Sequence, residues 1–543
     1  MDSEQVRREP AEPATEPAMV TGGGASAVGV PAAPTATSER PPVGPLGRTL
    51  RRGATISAFT LVLVQVTSLV TTLALARLLS PEEIGIYAAG TVLTGFLVMF
   101  AEGGLRGALI QRQTELEDSA DTVFWATAAT GVLMSLGALA ASPLVAWFFS
   151  SPLAGEIAAV TSGMLLMQAL TNVPDGLLQR QFNFKRRMIV DPARSIAFGA
   201  MAVLLAYLGF GVWSLAIGNY FSMAVWLVGT WALGRWRPGK GRPSYRLWRE
   251  LARFAYPLLI QSVVWQVRDA GQAALVGRFL GAASLGQFRY GRRVGLLPTQ
   301  AVVQVGSYVL FPAFSRLADD PLRLKQAFLR SLRWLWIATA PVAALIIAVG
   351  EPAVVILLGE RWREAGMFLV AMAGYGATIG LKATANEVIK GSGRSRLLNR
   401  VSVVQLVLGL GLVFVALPFG LFAVGLAISA TEMTLAVMAM VLARSVIGYS
   451  GRELMRLLVP PLVGSASGLA IIGLLDRLVI DVDDFSGVLG VTILGGEVFA
   501  FLAIYFAVLR LLDPIAVLGL LGVSRTYVAR VLPGRARRGP VTR

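Results

Sequence analysis

The chain has 543 residues, 55% of them hydrophobic and 15% charged, and its 49 Lys plus Arg against 32 Asp plus Glu give a formal net charge of +17. A chain so apolar and so lightly charged needs lipid as its solvent and leaves no room for a large soluble domain. With neither Cys nor His, it excludes disulfides, thiolate chemistry, Ser-His-Asp and Cys-His arrangements and the commonest metal ligand, and its positive balance fits basic loops against anionic headgroups rather than nucleic acid.

In chain order, residues 1–47 are rich in Pro, Ala, Gly and Glu and hold no apolar run, which predicts a disordered cytoplasmic tail. The run Gly22-Gly23-Gly24 lacks the strand, Lys-Ser/Thr and helix of a phosphate-binding loop and reads as flexible linker. From Arg48 onward the apolar runs predict an all-α integral membrane protein of about fourteen transmembrane helices. The spans fall near 53–76, 84–104, 122–142, 157–177, 190–208, 211–233, 254–277, 285–311, 334–350, 366–388, 401–417, 421–443, 457–475 and 488–509.

With the N-terminus inside, most Lys and Arg fall on the cytoplasmic loops. The richest such loop holds Arg235, Arg237, Lys240, Arg242, Arg246, Arg249 and Arg253, whereas the outer turns Leu208-Gly209-Phe210-Gly211 and Leu417-Pro418-Phe419-Gly420 hold none. An even number of spans puts the Arg-rich C-terminal tail inside as well. The expected location is therefore the cytoplasmic (inner) membrane, multi-pass, with both termini cytoplasmic.

A shift of 201 residues lays Leu73–Gly90 on Ala274–Gly291 and matches Arg77 with Arg278, Leu79 with Leu280, Gly85 with Gly286 and Gly90 with Gly291. Both segments join the first two spans of a six-span block, and an even block length gives the two copies the same orientation, a parallel repeat. The expected organisation is a tail at 1–47, a six-helix lobe at 48–233, a basic cytoplasmic linker at 234–253, a second six-helix lobe at 254–443, two additional helices at 444–510 and a basic cytoplasmic tail at 511–543.

Charges inside the spans are the functional signal, because each costs roughly 2.5–3.5 kcal/mol at mid-helix and should face a wet cavity or a partner. Arg289, Arg292 and Arg293 share one helical face, with Gln300 and Gln304 continuing the stripe. The preceding helix carries Gln261, Arg268 and Gln272 at intervals of seven and four, and Lys382 and Arg194 add further cations. Lining one cleft, Arg268, Arg289, Arg292, Arg293, Gln261, Gln272, Gln300 and Lys382 would suit a phosphate-bearing ligand, since guanidinium offers forked donors to its oxygens. The alternatives are snorkelling of Arg289 to Arg293 to the interface and simple pairing of Arg268 with neighbouring Asp269 or with a carboxylate across the bundle. Among the intramembrane carboxylates, Glu102, Asp175, Asp191, Asp269, Glu387, Glu432 and Glu497, the candidates for ion coupling are Asp269 and Glu387, because each shares a helix with a cavity cation.

Four segments carry a family resemblance: ALARLLSPEEIGIYAAG after the first span, LLQRQFNFKRRMIVD (Leu177 to Asp191), LLGERWREAGMFLVAMA (Leu357 to Ala373) and KGSGRSR (Lys390 to Arg396). Together they resemble the polysaccharide transporter family, the O-antigen and exopolysaccharide flippases of the multidrug/oligosaccharidyl-lipid/polysaccharide exporter superfamily. The resemblance covers roughly residues 48 to 450 and implies a two-lobed bundle. Such a bundle alternates access to a central cavity and moves a polyprenyl-diphosphate-linked oligosaccharide outward. It implies no cofactor and no catalytic residue. Expected partners are the lipid-linked anionic oligosaccharide, membrane lipids, and a polysaccharide polymerase or assembly protein. The competing readings are a flippase for the peptidoglycan lipid precursor, a drug exporter, and a membrane glycosyltransferase or polymerase. The last would rest on the run Asp481-Val482-Asp483-Asp484, which has no nucleotide-binding domain beside it.

Overall fold

The computed structural model describes residues 45–102, 104–112, 114–180, 184–234, 236–476 and 487–514, with side chains for these apart from 45–59, 61, 101–102, 184–188, 257–258, 260–262 and 297–309. By internal contact the chain forms two units, Met1–Arg52 and Gly53–Arg543. The first is described only where α1 begins, and the helical bundle is the second. The expected N-terminal tail, the Asp481–Asp484 run and the basic C-terminal tail lie outside the described residues.

Among the described residues the chain is helical and contains no strand. The helices are α1 (Pro45–Leu78), α2 (Pro81–Glu102), α3 (Leu105–Gln111), α4 (Leu116–Ala140), α5 (Ser142–Phe149), α6 (Pro152–Thr161), α7 (Gly163–Arg180), α8 (Phe184–Tyr207) and α9 (Val212–Gly234). They continue as α10 (Tyr245–Phe279), α11 (Gly281–Arg316), α12 (Pro321–Leu358), α13 (Arg363–Ala371), α14 (Ala373–Gly391), α15 (Arg396–Ala416), α16 (Gly420–Ile447), α17 (Gly451–Leu475) and α18 (Gly487–Leu512). Nine helical stretches among the described residues are long and apolar enough to cross a bilayer, or ten if α13 and α14, bent by 40° at their junction, form one span. The expected fourteen is neither reached nor excluded by this count. Continuous apolar helix joins α15 and α16 into one stretch, and α1, α10 and α11 are not counted. These are 34, 35 and 36 residues long, and their side chains are described only in part. Two of the uncounted helices, α10 and α11, are the ones that carry most of the intramembrane cations.

Local sequence sets the boundaries. Ser80-Pro81-Glu82-Glu83 starts α2: the Ser80 N–H donates to the Glu83 carboxylate at 2.7 Å and the Glu83 N–H to Ser80 Oγ at 3.2 Å, a reciprocal cap followed by Pro, whose missing N–H is not needed at a first turn. Ser450 and Glu453 do the same for α17. Gly281 and Gly420 turn the chain at φ +87° and +85°, where other residues would be strained.

The two matched segments of the sequence meet face to face. A Cβ on Gly85 would lie 1.7 Å from the Ala282 carbonyl oxygen, and one on Gly286 would lie 1.9 Å from the Pro81 carbonyl oxygen. Adding 201 to Gly85 and subtracting 201 from Ala282 turns the first contact into the second, so α2 and α11 cross with local two-fold symmetry, as the repeat demands. Only Gly permits such an approach.

The matched arginines follow the same symmetry. Arg77 donates to the carbonyls of Ile356 at 2.5 Å and Leu357 at 3.1 Å, at the end of α12. Arg278 donates to the Phe148 carbonyl at 2.9 Å and to Ser150 Oγ at 2.7 Å, at the end of α5. Each arginine thereby satisfies helix-terminal carbonyls that lack intrahelical donors. Trp362 closes this end further by donating to the Ala76 carbonyl at 2.9 Å while stacking on Tyr290.

Beyond these helices, α17 and α18 pack together and against α12. Gly464 lies against Tyr505 and Gly468 against Phe501, and the Tyr505 hydroxyl donates to the Ile337 carbonyl at 2.8 Å. Gly286→Ala is expected to lower stability by about 1–3 kcal/mol through overpacking of the α2–α11 crossing. Gly107→Ala, at a position with nothing within 4 Å, is expected to leave the thermal unfolding midpoint in detergent unchanged or slightly higher.

Candidate functional site

The predicted intramembrane charges come together where α10, α11, α14 and α16 converge. Arg268 on α10 donates through Nη1 to Glu432 Oε1 on α16 at 2.7 Å, and the side chains are 6% and 2% exposed. Lys382 on α14 pairs with the other oxygen, Oε2, of the same carboxylate. One residue along α10, Asp269 pairs with Arg292 through Oδ1 and stands 3.8 Å from Arg289 Nη1 through Oδ2. Arg268 and Asp269 are consecutive on α10, which joins the two groups into one cluster.

Four cations (Arg268, Lys382, Arg289, Arg292) share two carboxylates (Glu432, Asp269), a net charge of +2. Positive charge is therefore in excess in a region where unpaired charge is costly. The donors are not used up either: Nε of Arg268 and Nε of Arg289 are buried without a hydrogen-bond acceptor. A buried donor left unmade costs roughly 1–3 kcal/mol, so these two guanidinium groups carry an unmet demand for an acceptor. Two or more guanidinium groups within reach of one another suit phosphate oxygens better than a single carboxylate.

The remaining candidates have separate fates. Arg293 turns to α1, donating to Ser68 Oγ at 2.6 Å, and does not join Arg289 and Arg292 on Asp269. Gln272 gives its amide N–H to the Gly409 carbonyl at 3.0 Å and ties α10 to α15. Glu387 pairs with Lys390 at 3.2 Å rather than with Lys382 on the same helix. The backbones of Gln261 and Gln300 belong to α10 and α11, but their side chains lie outside the described residues. Arg194 lies over the Trp226 ring at 4.5 Å.

Glu432 is the residue that sequence reasoning undervalued. It shares no helix with a predicted cation, which was the criterion that favoured Asp269 and Glu387, yet it is the carboxylate that two cations from other helices share. Its single acidic position in the otherwise uncharged run Leu421–Val441 was the available signal. Two further carboxylates lie apart: Asp175 binds Arg106 at 2.9 Å, and Glu497 on α18 is buried with neither carboxylate oxygen hydrogen-bonded.

Residues 74–366, more than half of the chain, match a family described as polysaccharide biosynthesis protein. The chain belongs to that family. Among its relatives, the succinoglycan biosynthesis transport protein ExoT of Rhizobium meliloti is 30% identical over 291 residues, covering 54% of this chain and 59% of ExoT. The lipopolysaccharide biosynthesis protein WzxC of Escherichia coli is 22% identical over 325 residues, covering 58% of this chain and 64% of WzxC. The chain thus spans about three fifths of the length of these curated relatives.

Of solved structures, the lipid II flippase MurJ in an inward closed conformation superposes with a TM-score of 0.69 at 14% identity, over 85% of this chain and 99% of MurJ. An inward-facing multidrug resistance MATE transporter of the MOP superfamily gives 0.60 at 17% identity, over 71% of this chain and 94% of the other. These likenesses establish the fold, an all-α helical bundle. The expected family and the all-α integral membrane class are borne out, and the count of fourteen helices is not settled.

Replacing Glu432 by Leu should strand Arg268 and Lys382 and destabilise the protein by about 3–5 kcal/mol, the usual cost of breaking a buried pair from one side. Adding Arg268→Met and Lys382→Met to that variant should recover most of the loss, as read from thermal unfolding in detergent.

Proposed function

We propose that this protein translocates a polyprenyl-diphosphate-linked, anionic oligosaccharide across the cytoplasmic membrane by alternating access, for assembly of a cell-surface polysaccharide. The observation that carries the reading is the net-positive cluster of Arg268, Lys382, Arg289 and Arg292 inside an apolar bundle, in a chain of the polysaccharide biosynthesis family. It is a carrier rather than an enzyme in this reading. The termini face the cytoplasm, on the same positive-inside argument that orders the loops.

In this mechanism the two six-helix lobes, 48–233 and 254–443, rock against each other about the α2–α11 crossing. Without cargo, Glu432 and Asp269 act as internal counter-ions and make four intramembrane cations tolerable. An arriving diphosphate competes with those carboxylates for the same guanidinium and ammonium groups, with Arg293, Gln261, Gln272 and Gln300 adding polar contacts. Its binding energy then has a direct use, since each cation it takes over loosens one tie among α10, α11, α14 and α16. Protonation or ion binding at Asp269 or Glu387 resets the cluster after release. A polymerase or other assembly protein receives the cargo on the far side.

The diphosphate of a peptidoglycan lipid precursor would meet the same arginines, and the family match is what favours surface polysaccharide over it. An exporter of cationic drugs is disfavoured by the sign of the cluster.

Deleting the gene in its host should cause a defined lipid-linked saccharide to accumulate on the inner leaflet, detected by leaflet-restricted labelling and mass spectrometry. Unchanged lipid-linked pools, where no redundant carrier exists, would remove this reading. The variant carrying Arg289→Gln, Arg292→Gln and Arg293→Gln should insert in the membrane normally yet transport at least tenfold more slowly, since each charge-assisted hydrogen bond to the cargo is worth about 1.5–3 kcal/mol. Wild-type transport by that variant would detach the arginines from the cargo.

A further inference from the structure

A second cationic surface lies on α10, well away from the cluster. At about 1.5 Å per residue the 35 residues of α10 form a rod roughly 52 Å long, against an apolar bilayer core of about 30 Å. Some 20 Å of helix must therefore stand outside the hydrocarbon. The sequence shows which end: Arg246, Arg249, Glu250 and Arg253 crowd the first turns, and no charge follows until Arg268. The hydrocarbon boundary then falls near Phe254 to Tyr256, with the arginines at headgroup depth.

This extension is folded onto the N-terminal helices. Leu247, Leu251 and Ala255 are buried, the latter two in a core with Leu105, Leu109, Val123, Phe124 and Val173. The segment ahead of it is pinned as well: the N–H groups of Gly239 and Gly241 donate to the Asp121 carboxylate, that of Arg242 to Asp118 and that of Ser244 to Thr122 Oγ. Opposite the buried stripe, helical geometry sets Tyr245 and Tyr256 beside Arg249, Arg253 and Arg246, while Trp248 stacks on Tyr245. A concavity of about 460 Å³ lies between Tyr245, Arg246, Arg249, Glu250 and Arg253.

Glu250 is taken by Arg112, and Arg246 shares a solvent-exposed contact with Glu115. Such an exposed pair holds its partner only weakly. Arg249 and Arg253 are exposed and have no acidic partner among the described residues.

We propose that this face of α10 binds the headgroup of an anionic phospholipid of the bulk membrane. Phosphate lies between Arg249 and Arg253, and Tyr245, Trp248 and Tyr256 sit at the interface beside it. Aromatic rings next to arginines at the hydrocarbon boundary are the pattern of an interfacial lipid contact, and the depth set by the helix length favours a headgroup over a protein in water. Because α10 runs unbroken from Tyr245 to Arg268, a lipid held here fixes the near end of the rod that carries the central ion pair about 28 Å away. The inference does not depend on which cargo the protein carries.

The test uses the full-length protein in zwitterionic detergent, titrated with phosphatidylglycerol or phosphatidylcholine and read by native mass spectrometry. Wild type should retain phosphatidylglycerol selectively, with an affinity that falls as salt rises. Arg249→Gln with Arg253→Gln should weaken it on the order of ten- to thirty-fold, whereas Arg452→Gln, an exposed arginine on α17, should change it less than twofold. Arg249→Lys with Arg253→Lys keeps the charge and should bind within a few-fold of wild type, which covers the case of a Gln variant that fails to fold. Equal retention of the two lipids, indifference to salt, or full retention by the Gln variant would overturn the proposal, and the first of these would point to an acidic protein partner instead.

Discussion

A charge held in hydrocarbon must find a counter-charge, and in this protein two carboxylates discharge that duty for four cations. Glu432 holds Arg268 and Lys382, and Asp269 holds Arg292 with Arg289 nearby. The desolvation cost of such groups is several kcal/mol each, and their mutual attraction offsets it only where geometry is good and the remaining donors are satisfied. Here the geometry is good and the satisfaction is incomplete. A bundle that leaves guanidinium donors unused at its centre forgoes stability there.

The surrounding helices are held by other means. Because lipid provides no hydrophobic drive between helices, the bundle is joined by close backbone approach and by hydrogen bonds to helix ends. The α2–α11 crossing at Gly85 and Gly286 supplies the first, and Arg77, Arg278 and Trp362 supply the second. These contacts gather at one end of the bundle, where α1, α5 and α12 terminate. The charge cluster lies deeper, where small displacements of α10 or α11 alter which cation meets which carboxylate. Such displacements exchange one ion pair for another, which costs less than exposing a charge.

α10 links these regions. Its start is clamped to α4 through Asp118, Asp121 and Thr122, its middle holds Arg268, Asp269 and Gln272, and its last turn ends with Arg278 against α5. The expected boundary between a basic linker and a span at residue 254 is absent from the backbone, which is helical from Tyr245. Hydropathy marks where the lipid begins, whereas the hydrogen-bonded helix takes no notice of that boundary.

The sequence by itself determined the solvent, the helical class and the repeat. Apolar runs of membrane length admit only structures that satisfy every backbone group internally, and the 201-residue match already paired Gly85 with Gly286. It also marked Arg268, Arg289, Arg292 and Lys382 as anomalous, because cost per residue is a local property. Pairing is not local. That Glu432 would be the shared counter-ion, that Arg293 would turn to Ser68, and that Gln272 would be spent on Gly409 were decided only when α1, α10, α11, α14, α15 and α16 packed together. Helical periodicity fixes which residues share a face, but which helix stands opposite that face is a matter of tertiary packing alone.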